Sequence, residues 1–256
     1  MQGHSEPNRD GCAIKSTVDQ RRVLITGGTG SIGAVLVAEF CARYSEVYAL
    51  YHVNDRVALE LGDRTGAVFT KVDFRQKTDL PRTDFDIVVN NAGINLAKTP
   101  IDQVTDQELL ETLAVNLTTP FRIARACLPH MMANRWGRII NIGSIYSLRS
   151  CARNGSYNVS KHALTGLTKS IAADYAGLGI TANEICPSAV ESELMHRIAS
   201  QAGDDPDEYL AKVRDSNPTG RMATPHDIAA TALFLASQDA SFINGSSIVL
   251  DGGQIS

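Results

Sequence analysis

The sequence lacks any apolar run close to the ~20 residues that a membrane-spanning helix needs, so we expect no association with a membrane. Residues 1–20 are polar and of mixed charge and lack the apolar core of a secretory signal, which predicts a poorly ordered N-terminal tail. The formal net charge is only −4 at pH 7. Because domains that bind nucleic acid usually carry a strongly basic face, we expect no nucleic acid as a partner.

Cysteine is scarce, with five residues in 256, and neither the cysteines nor the histidines have the spacing of metal ligands. The cysteines are scattered and odd in number, which does not fit a disulfide framework. We therefore predict no metal site, reduced thiols and a cytoplasmic location.

Short apolar runs alternate with stretches of helical spacing from residue 21 onward. The predicted strands are 22–26, 46–51, 67–71, 85–90, 137–142, 179–186 and 246–250. Apolar residues at helical spacing follow the first strand and recur between Leu109 and Phe121, and 156–177 is helical in composition. This alternation predicts a single α/β domain with a doubly wound, Rossmann-type parallel sheet of seven strands.

One long stretch, about 188–220, is rich in charge, proline and glycine and interrupts the alternation. Loops of this length inside a compact domain are usually functional lids or disordered segments. We predict irregular structure here, within one domain that extends over 21–256.

The first predicted strand leads into the sequence TGGTGSIG at 26–33, and a helix follows at once. Glycines let backbone N–H groups approach a pyrophosphate, and a helix N-terminus adds partial positive charge. A glycine-rich turn can be purely conformational, but the strand before it and the helix after it indicate a dinucleotide-binding turn. The contacts predicted in this turn are Gly27, Thr29, Gly30, Ser31, Ile32 and Gly33.

This turn resembles that of the short-chain dehydrogenase/reductase family. The compact branch of the family typically has T-G-x-x-x-G-x-G, whereas here Ser31 stands at the middle glycine and Gly30 comes one place earlier, as in the T-G-x-x-G-x-x-G of the extended branch. The later motifs fit the compact branch. The resemblance covers about 21–253 and implies an oxidoreductase that uses a nicotinamide dinucleotide.

The end of the second strand bears on which nicotinamide is used. An acidic residue there would bind the ribose hydroxyls of NAD and repel the 2′-phosphate of NADP. The strand ends instead in Leu50, Tyr51 and His52. His52 and Arg56 are candidates to face the phosphate, although both could equally be solvated surface residues. We therefore favour NADP(H), keep NAD(H) as an alternative, and include Tyr51 and His52 among the cofactor residues.

Tyr157 and Lys161 form the Y-x-x-x-K motif of the family. Residues four apart share a helix face, so the ammonium can lie near the phenol. A cation about 4 Å away, at an effective dielectric near 20, favours phenolate by roughly 4 kcal/mol. Together with a positively charged nicotinamide, such an interaction would lower the pKa of the phenol, which is about 10 in isolation. Tyr157 is thus the expected acid and base, and the resemblance implies that Lys161 also holds the nicotinamide ribose.

Two further polar residues match the catalytic pattern of the family. Ser144 lies thirteen residues before Tyr157 and would hydrogen-bond the substrate oxygen. Asn116 matches an asparagine whose main chain holds a water in a proton relay to the lysine. The resemblance therefore implies the catalytic set Asn116, Ser144, Tyr157 and Lys161.

Other matches imply further contacts to the dinucleotide. Asp73, after the third strand, matches a position that touches adenine. The N-N-A-G motif of the family is present at 90–93, and its P-G-x-x-x-T motif corresponds to 187–192, where serine replaces both the glycine and the threonine. The residues implied are Asp73, Asn91, Ala92, Gly93, Pro187, Val190 and Ser192.

The expected function is an NADP(H)-dependent ketoreductase that resembles 3-oxoacyl-[acyl-carrier-protein] reductases and acts on a small or carrier-bound carbonyl. One alternative is an NAD(P)-dependent dehydrogenase of a sugar, polyol or other secondary alcohol, since the same residues serve both directions. A second alternative is a non-catalytic nucleotide-sensing protein. Family members are commonly homotetramers or dimers, so the resemblance also implies a homo-oligomer.

Overall fold

The computed structural model describes residues 18–76, 80–96, 98–201 and 205–255. Within them, seven parallel strands form one sheet in the order β3-β2-β1-β4-β5-β6-β7. The strands are β1 (Asp19–Thr26), β2 (Tyr44–Tyr51), β3 (Val68–Lys71), β4 (Ile87–Asn90), β5 (Gly137–Ile142), β6 (Ile180–Pro187) and β7 (Ser247–Leu250). The predicted single α/β domain with a doubly wound seven-stranded sheet is confirmed.

Helices cover both faces of the sheet, as a parallel sheet requires. They are α1 (Ser31–Cys41), α2 (Asp55–Thr65), α3 (Asp106–Leu113), α4 (Thr119–Asn134), α5 (Gly155–Tyr175), α6 (Glu193–Gln201), α7 (Pro206–Asp215) and α8 (Pro225–Ala236). Helices α1 and α8 pack together on one face, while α4 and α5 pack on the other. No helix among the described residues has both the length and the hydropathy needed to cross a membrane.

The core divides between the two faces because side chains alternate along each strand. In β1, Val23 and Ile25 pack with α1 and α8, whereas Leu24 packs on the side of α4 and α5. Both sets are fully buried. The central strands are therefore buried on both faces, and β4 in particular reads as a short hydrophobic run that ends in Asn90.

Strand β1 begins earlier than predicted and takes in the end of the expected tail. The backbone N–H of Asp19 donates to the carbonyl of Arg43, and the Asp19 carboxylate binds the backbone N–H and the guanidinium of Arg21. These polar residues extend the strand without contributing apolar side chains, so hydropathy does not reveal it. Residues 1–17 of the predicted tail lie outside the described residues.

The prediction of irregular structure over 188–220 is wrong, because α6 and α7 lie within this stretch. Helix α7 begins where Asp205 accepts the backbone N–H groups of Asp207 and Glu208, directly before Pro206. Leu210 is buried in a small cluster with Met222. The many charged residues occupy the exposed sides of the helices and obscure the apolar pattern.

The helical spacing between Leu109 and Phe121 covers three elements. Helix α3 passes into a π-helical turn at Ala114–Thr118 before α4 begins. A π turn inserts an extra residue per turn, so the faces of α3 and α4 are out of phase. Leu110 and Phe121 are consequently exposed, while Val115 and Asn116 are buried.

We expect Leu36→Ala in α1 to lower the free energy of unfolding by about 2–5 kcal/mol, because it opens a cavity in the core. Leu36 is 0% exposed, whereas Leu59 in α2 is 69% exposed. Leu59→Ala removes the same atoms from the surface and should change stability by less than about 0.5 kcal/mol. Equilibrium denaturation in urea measures both values, and equal losses would contradict the assignment of Leu36 to the core.

Candidate active site

The glycine-rich turn lies at the carboxyl end of β1, between the strand and α1. Gly27 has a φ of +70°, which favours glycine. A Cβ at Gly33 would collide with the carbonyl oxygen of Gly27, so this glycine lets the helix approach the turn closely. A Cβ at Gly30 would meet only one atom, at 3.5 Å, because Gly30 borders open space.

The first turn of α1 provides hydrogen-bond donors for an anion. Its N-cap, Gly30, has no side chain to satisfy the first backbone N–H groups of the helix. The first turn carries neither an acidic nor a basic side chain. These free N–H groups and the helix dipole make a site for a pyrophosphate.

A cavity of about 400 Å³ opens over this turn, at the carboxyl ends of β1 to β4. Its size is within the range of small-molecule sites. The predicted cofactor residues that line it are Gly27, Thr29, Gly30, Ser31, Ile32, Gly33, His52, Asp73, Asn91, Ala92, Gly93 and Ser192. The structure therefore brings most of the predicted contacts to one crevice, and their donor groups fit a dinucleotide.

Asn91 ties β4 to β1 at the bottom of this crevice. Its amide group donates to the carbonyl oxygens of Thr26 at 2.9 Å and Gly27 at 3.3 Å. The Thr26 hydroxyl accepts the backbone N–H groups of Asn91 and Ala92 in return. Asn91 thus shapes the turn as well as lining the cavity.

At the other end of the crevice, His52 and Asp73 meet through a residue that the sequence analysis missed. The Arg75 guanidinium donates to both carboxylate oxygens of Asp73 at 2.9 Å and lies 3.2 Å from Nε2 of His52. This pairing with Arg75 lowers the pKa of Asp73 to about 2. Arg75 follows the third strand by only four residues, but no motif marks it.

Two residues considered for the ribose end lie elsewhere. The Tyr51 ring packs edge-on against Phe69, and its hydroxyl interacts with Asp55, so it does not line the cavity. Arg56 forms an ion pair with Glu60 one turn along α2, and its side chain is 87% exposed. Tyr51 has this orientation because its side chain and that of His52 alternate across the strand end.

Of the three contacts predicted at and after the end of β6, which are Pro187, Val190 and Ser192, only Ser192 lines the crevice. Pro187 is buried in β6, and Val190 forms a backbone bridge with Ala223. The backbone N–H of Glu193, at the start of α6, lies 3.4 Å from the Ser31 hydroxyl. The segment therefore crosses the glycine-rich turn.

The catalytic candidates Ser144, Tyr157 and Lys161 meet where β5 and α5 come together. Ser144 follows β5, and its hydroxyl accepts the backbone N–H of Tyr146. The Tyr157 hydroxyl is hydrogen-bonded to Ser144, and the Tyr146 ring lies edge-on to that of Tyr157, with centroids 6.4 Å apart. Nζ of Lys161 lies 5.5 Å from the centroid of the Tyr157 ring. The two side chains thus face the same space.

The Lys161 ammonium group forms no direct ion pair with the phenol oxygen of Tyr157. Its ammonium group is buried and donates to the carbonyl oxygen of Ile142 at 2.8 Å. A Cβ built on Gly93, which lines the cavity, would lie 3.7 Å from Nζ of Lys161. The ammonium group therefore borders the dinucleotide crevice.

Burial dominates the electrostatics of this pair in the protein without a cofactor. Desolvation raises the pKa of Tyr157 to about 12, and the hydrogen bond from Ser144 only partly offsets it. Desolvation also lowers the pKa of Lys161 to about 8, although Glu184 acts in the opposite direction. At neutral pH the protein groups alone favour a neutral phenol beside an ammonium ion.

Asn116 lies in the π turn, with its side chain fully engaged. Its Oδ1 accepts the backbone N–H of Ile94 at 2.8 Å, and its Nδ2 donates to the Ile94 carbonyl and to the Ser160 hydroxyl. Ser160 directly precedes Lys161. The side chain thus joins the π turn, α5 and the segment after β4, and the main chain of Asn116 remains for the predicted proton relay.

Other polar side chains that are close to Ser144 and Tyr157 in the sequence lie outside this centre. Arg149 and Arg153 are exposed, as is His162, whose Nδ1 contacts the carbonyl of Asn158. Among the described residues, no cluster of three or more histidine, cysteine, aspartate or glutamate side chains could hold a metal ion.

Comparison with known proteins gives the same assignment along nearly the whole chain. A family model described as enoyl-(acyl carrier protein) reductase matches residues 28–254. The chain is 31% identical to an acetoacetyl-CoA reductase of Rhizobium meliloti, over 91% of this chain and 98% of the relative. It is 32% identical to a D-threitol dehydrogenase of Mycolicibacterium smegmatis, over 92% of this chain and 93% of the relative.

The fold of the chain also matches that of solved structures. A candidate NAD(P)-dependent gluconate 5-dehydrogenase of Beutenbergia cavernae, with NADP bound at low occupancy, superposes with a TM-score of 0.83. It is 29% identical and covers 94% of this chain and 98% of its own. Because the sequence motifs, the crevice at the strand ends and these relatives agree, the chain belongs to the short-chain dehydrogenase/reductase family.

Proposed function

We propose that this protein is an NADP(H)-dependent ketoreductase that reduces a small or carrier-bound carbonyl. The observation that carries the proposal is the meeting of Ser144, Tyr157 and Lys161 beside a crevice whose donors suit a dinucleotide. The reductase named among the relatives acts on acetoacetyl-CoA, a carrier-bound ketone.

In this proposal the bound dinucleotide supplies the hydride. The Tyr157 phenol donates a proton to the carbonyl oxygen, and the Ser144 hydroxyl donates a hydrogen bond to the same atom. Burial keeps the phenol in its proton-donating form, which suits reduction. The Lys161 ammonium, held by the Ile142 carbonyl, contributes positive charge next to the phenol. The main chain of Asn116 holds the water that replaces the proton.

A second candidate is oxidation of a polyol or sugar alcohol, with Tyr157 as the base. The same side chains serve this direction, because a reversible step uses one acid and base for both. Similarity to the D-threitol dehydrogenase supports it.

We further propose that residues 21–256 form one dinucleotide-binding domain and that 188–220 closes over the substrate. The contact between Glu193 and Ser31 supports this role of the segment.

We also propose a cytoplasmic location, since the described cysteines Cys41, Cys127, Cys151 and Cys186 are free thiols, as expected in a reducing compartment.

The proposed function is tested by NADPH oxidation with acetoacetyl-CoA and by NADP⁺ reduction with D-threitol. We expect turnover of acetoacetyl-CoA, and Tyr157→Phe should lower kcat by at least about a hundredfold, because general acid catalysis contributes on that order. NADPH binding, followed by its fluorescence, should be unchanged in the variant. More than a few per cent of the wild-type kcat in Tyr157→Phe would remove this residue from the role. Turnover of D-threitol alone would favour the second candidate.

We propose that Arg75 and His52 bind the 2′-phosphate of NADP. Both line the crevice, and a guanidinium is well suited to a phosphate. Arg75→Gln should raise the KM for NADPH about tenfold, the scale of one charge-assisted hydrogen bond. It should leave the KM for NADH unchanged.

Arg56→Gln is the matched control for Arg75→Gln. It removes a nearby guanidinium that is paired with Glu60 and does not line the crevice. Equal effects of the two substitutions on NADPH would point to a general charge effect instead of a phosphate contact.

We propose that the chain assembles with copies of itself as a dimer or tetramer. Leu110, Phe121 and Val159, on α3, α4 and α5, are large apolar side chains left exposed. Light scattering after size-exclusion chromatography should give a mass two or four times that of the chain. Phe121→Asp should shift it to a smaller species, and a wild-type monomer would refute the proposal.

A further inference from the structure

Glu184 is a fully buried carboxylate next to the catalytic centre. It lies in β6, where side chains alternate between the faces of the sheet, and it shares the α5 side with Ala182 and Cys186. Its exposed fraction is 0%. A buried carboxylate requires compensating donors or an opposite charge, and Glu184 takes no part in the proposed proton transfer.

Three hydroxyl groups from three different elements donate to this carboxylate. Ser147, in the 3₁₀ turn after β5, and Thr165, in α5, each donate at 2.7 Å, one to each carboxylate oxygen. Ser247, in β7, donates at 3.2 Å. An ionised carboxylate only accepts hydrogen bonds, so three donors satisfy its charged form.

One of these donors connects Glu184 to the catalytic serine. The Ser147 hydroxyl accepts a hydrogen bond from the backbone N–H of Ser144 at 3.2 Å and donates one to the Glu184 carboxylate. The carboxylate also lies against Gly143, where any Cβ would collide with it. Glu184 therefore lies against Gly143 directly and is linked to the backbone of Ser144 through the Ser147 hydroxyl.

Glu184 also acts on the catalytic lysine through its charge. Thr165 lies one helical turn after Lys161, so the carboxylate that it binds is near the buried ammonium. Glu184 raises the pKa of Lys161, against the larger lowering by burial. The other titratable groups near Lys161 are Tyr157 and Cys186, whose pKa values are both raised to about 12, so both are neutral at neutral pH.

We propose that Glu184 is a positioning residue of the active centre, which orients Ser144 through Ser147 and keeps Lys161 protonated through its negative charge. The roles of Ser144 and Lys161 rest on the proposed function. The charge effect on Lys161 does not, because it is a property of the folded chain. The two can therefore be tested separately.

The first test is an NMR titration of Lys161 in protein labelled with ¹³C at lysine Cε, without ligand. Its signal is assigned by its absence from Lys161→Arg. In the wild type we expect a midpoint at about pH 8, because burial lowers the pKa of Lys161 to about 8. Glu184→Gln keeps the size of the side chain and removes the charge, so the midpoint should fall by about one pH unit.

Glu191→Gln is the matched control, since it removes a carboxylate that is exposed just after β6. In Glu191→Gln, the titration midpoint of Lys161 should equal that of the wild type. An unchanged midpoint in folded Glu184→Gln, or an equal shift in Glu191→Gln, would overturn the electrostatic role of Glu184.

The second test uses Ser147→Ala, which removes one hydroxyl and leaves the carboxylate in place. We expect kcat for acetoacetyl-CoA to fall about tenfold, while the KM for NADPH and the Lys161 midpoint stay unchanged. An unchanged kcat would disconnect Glu184 from Ser144, even if Glu184→Gln does not fold.

A wild-type protein that neither binds NADPH nor reduces acetoacetyl-CoA would refute the proposed function and leave the lysine titration valid.

Discussion

The crevice between β1 and β4 is the feature on which the rest of the site depends. From β1 the sheet grows outward to β2 and β3, and from β4 it grows the other way to β5, β6 and β7. Crossover helices therefore leave β1 and β4 toward opposite sides, and their departure opens a space at the carboxyl ends of these strands. The bonds between Thr26 and Asn91 hold the strand ends together, so the opening lies above a rigid floor.

Burial then determines the electrostatics of the proposed catalytic centre. Ser144, Tyr157 and Lys161 lie where β5, β6 and α5 pack closely, and removal of water raises the pKa of the phenol and lowers that of the ammonium. Both shifts disfavour charge. The carboxylate of Glu184 opposes this tendency at Lys161, and its hydroxyl donors compensate for its own burial. A charged lysine can thus persist in a low-dielectric environment close to the crevice.

Sequence patterns predicted the strands well because central strands of a parallel sheet are buried on both faces. The end of β1 and most of β4 therefore appear as apolar runs, and β5 matches its predicted bounds at both ends. The pattern fails where polar residues form regular structure. The start of β1 is stabilised by Asp19 and Arg21, and α7 exposes its charged residues while burying Leu210. The π turn around Asn116 escapes detection because apolar spacing continues through it.

By itself the sequence determined the α/β architecture and predicted the glycine-rich turn and the pairing of Tyr157 with Lys161, because each depends on residues close together in the chain. Only the tertiary structure decided which charged groups face the crevice and which are buried beside Ser144 and Lys161. Arg75 approaches His52 across 23 positions, and Glu184 reaches Ser147 across 37. Such contacts depend on the register between strands and on the face of the sheet that each side chain occupies. The residues next to each position in the sequence do not specify which distant residue it will meet. The same reason explains why Tyr51, adjacent to His52, turns away from the cavity.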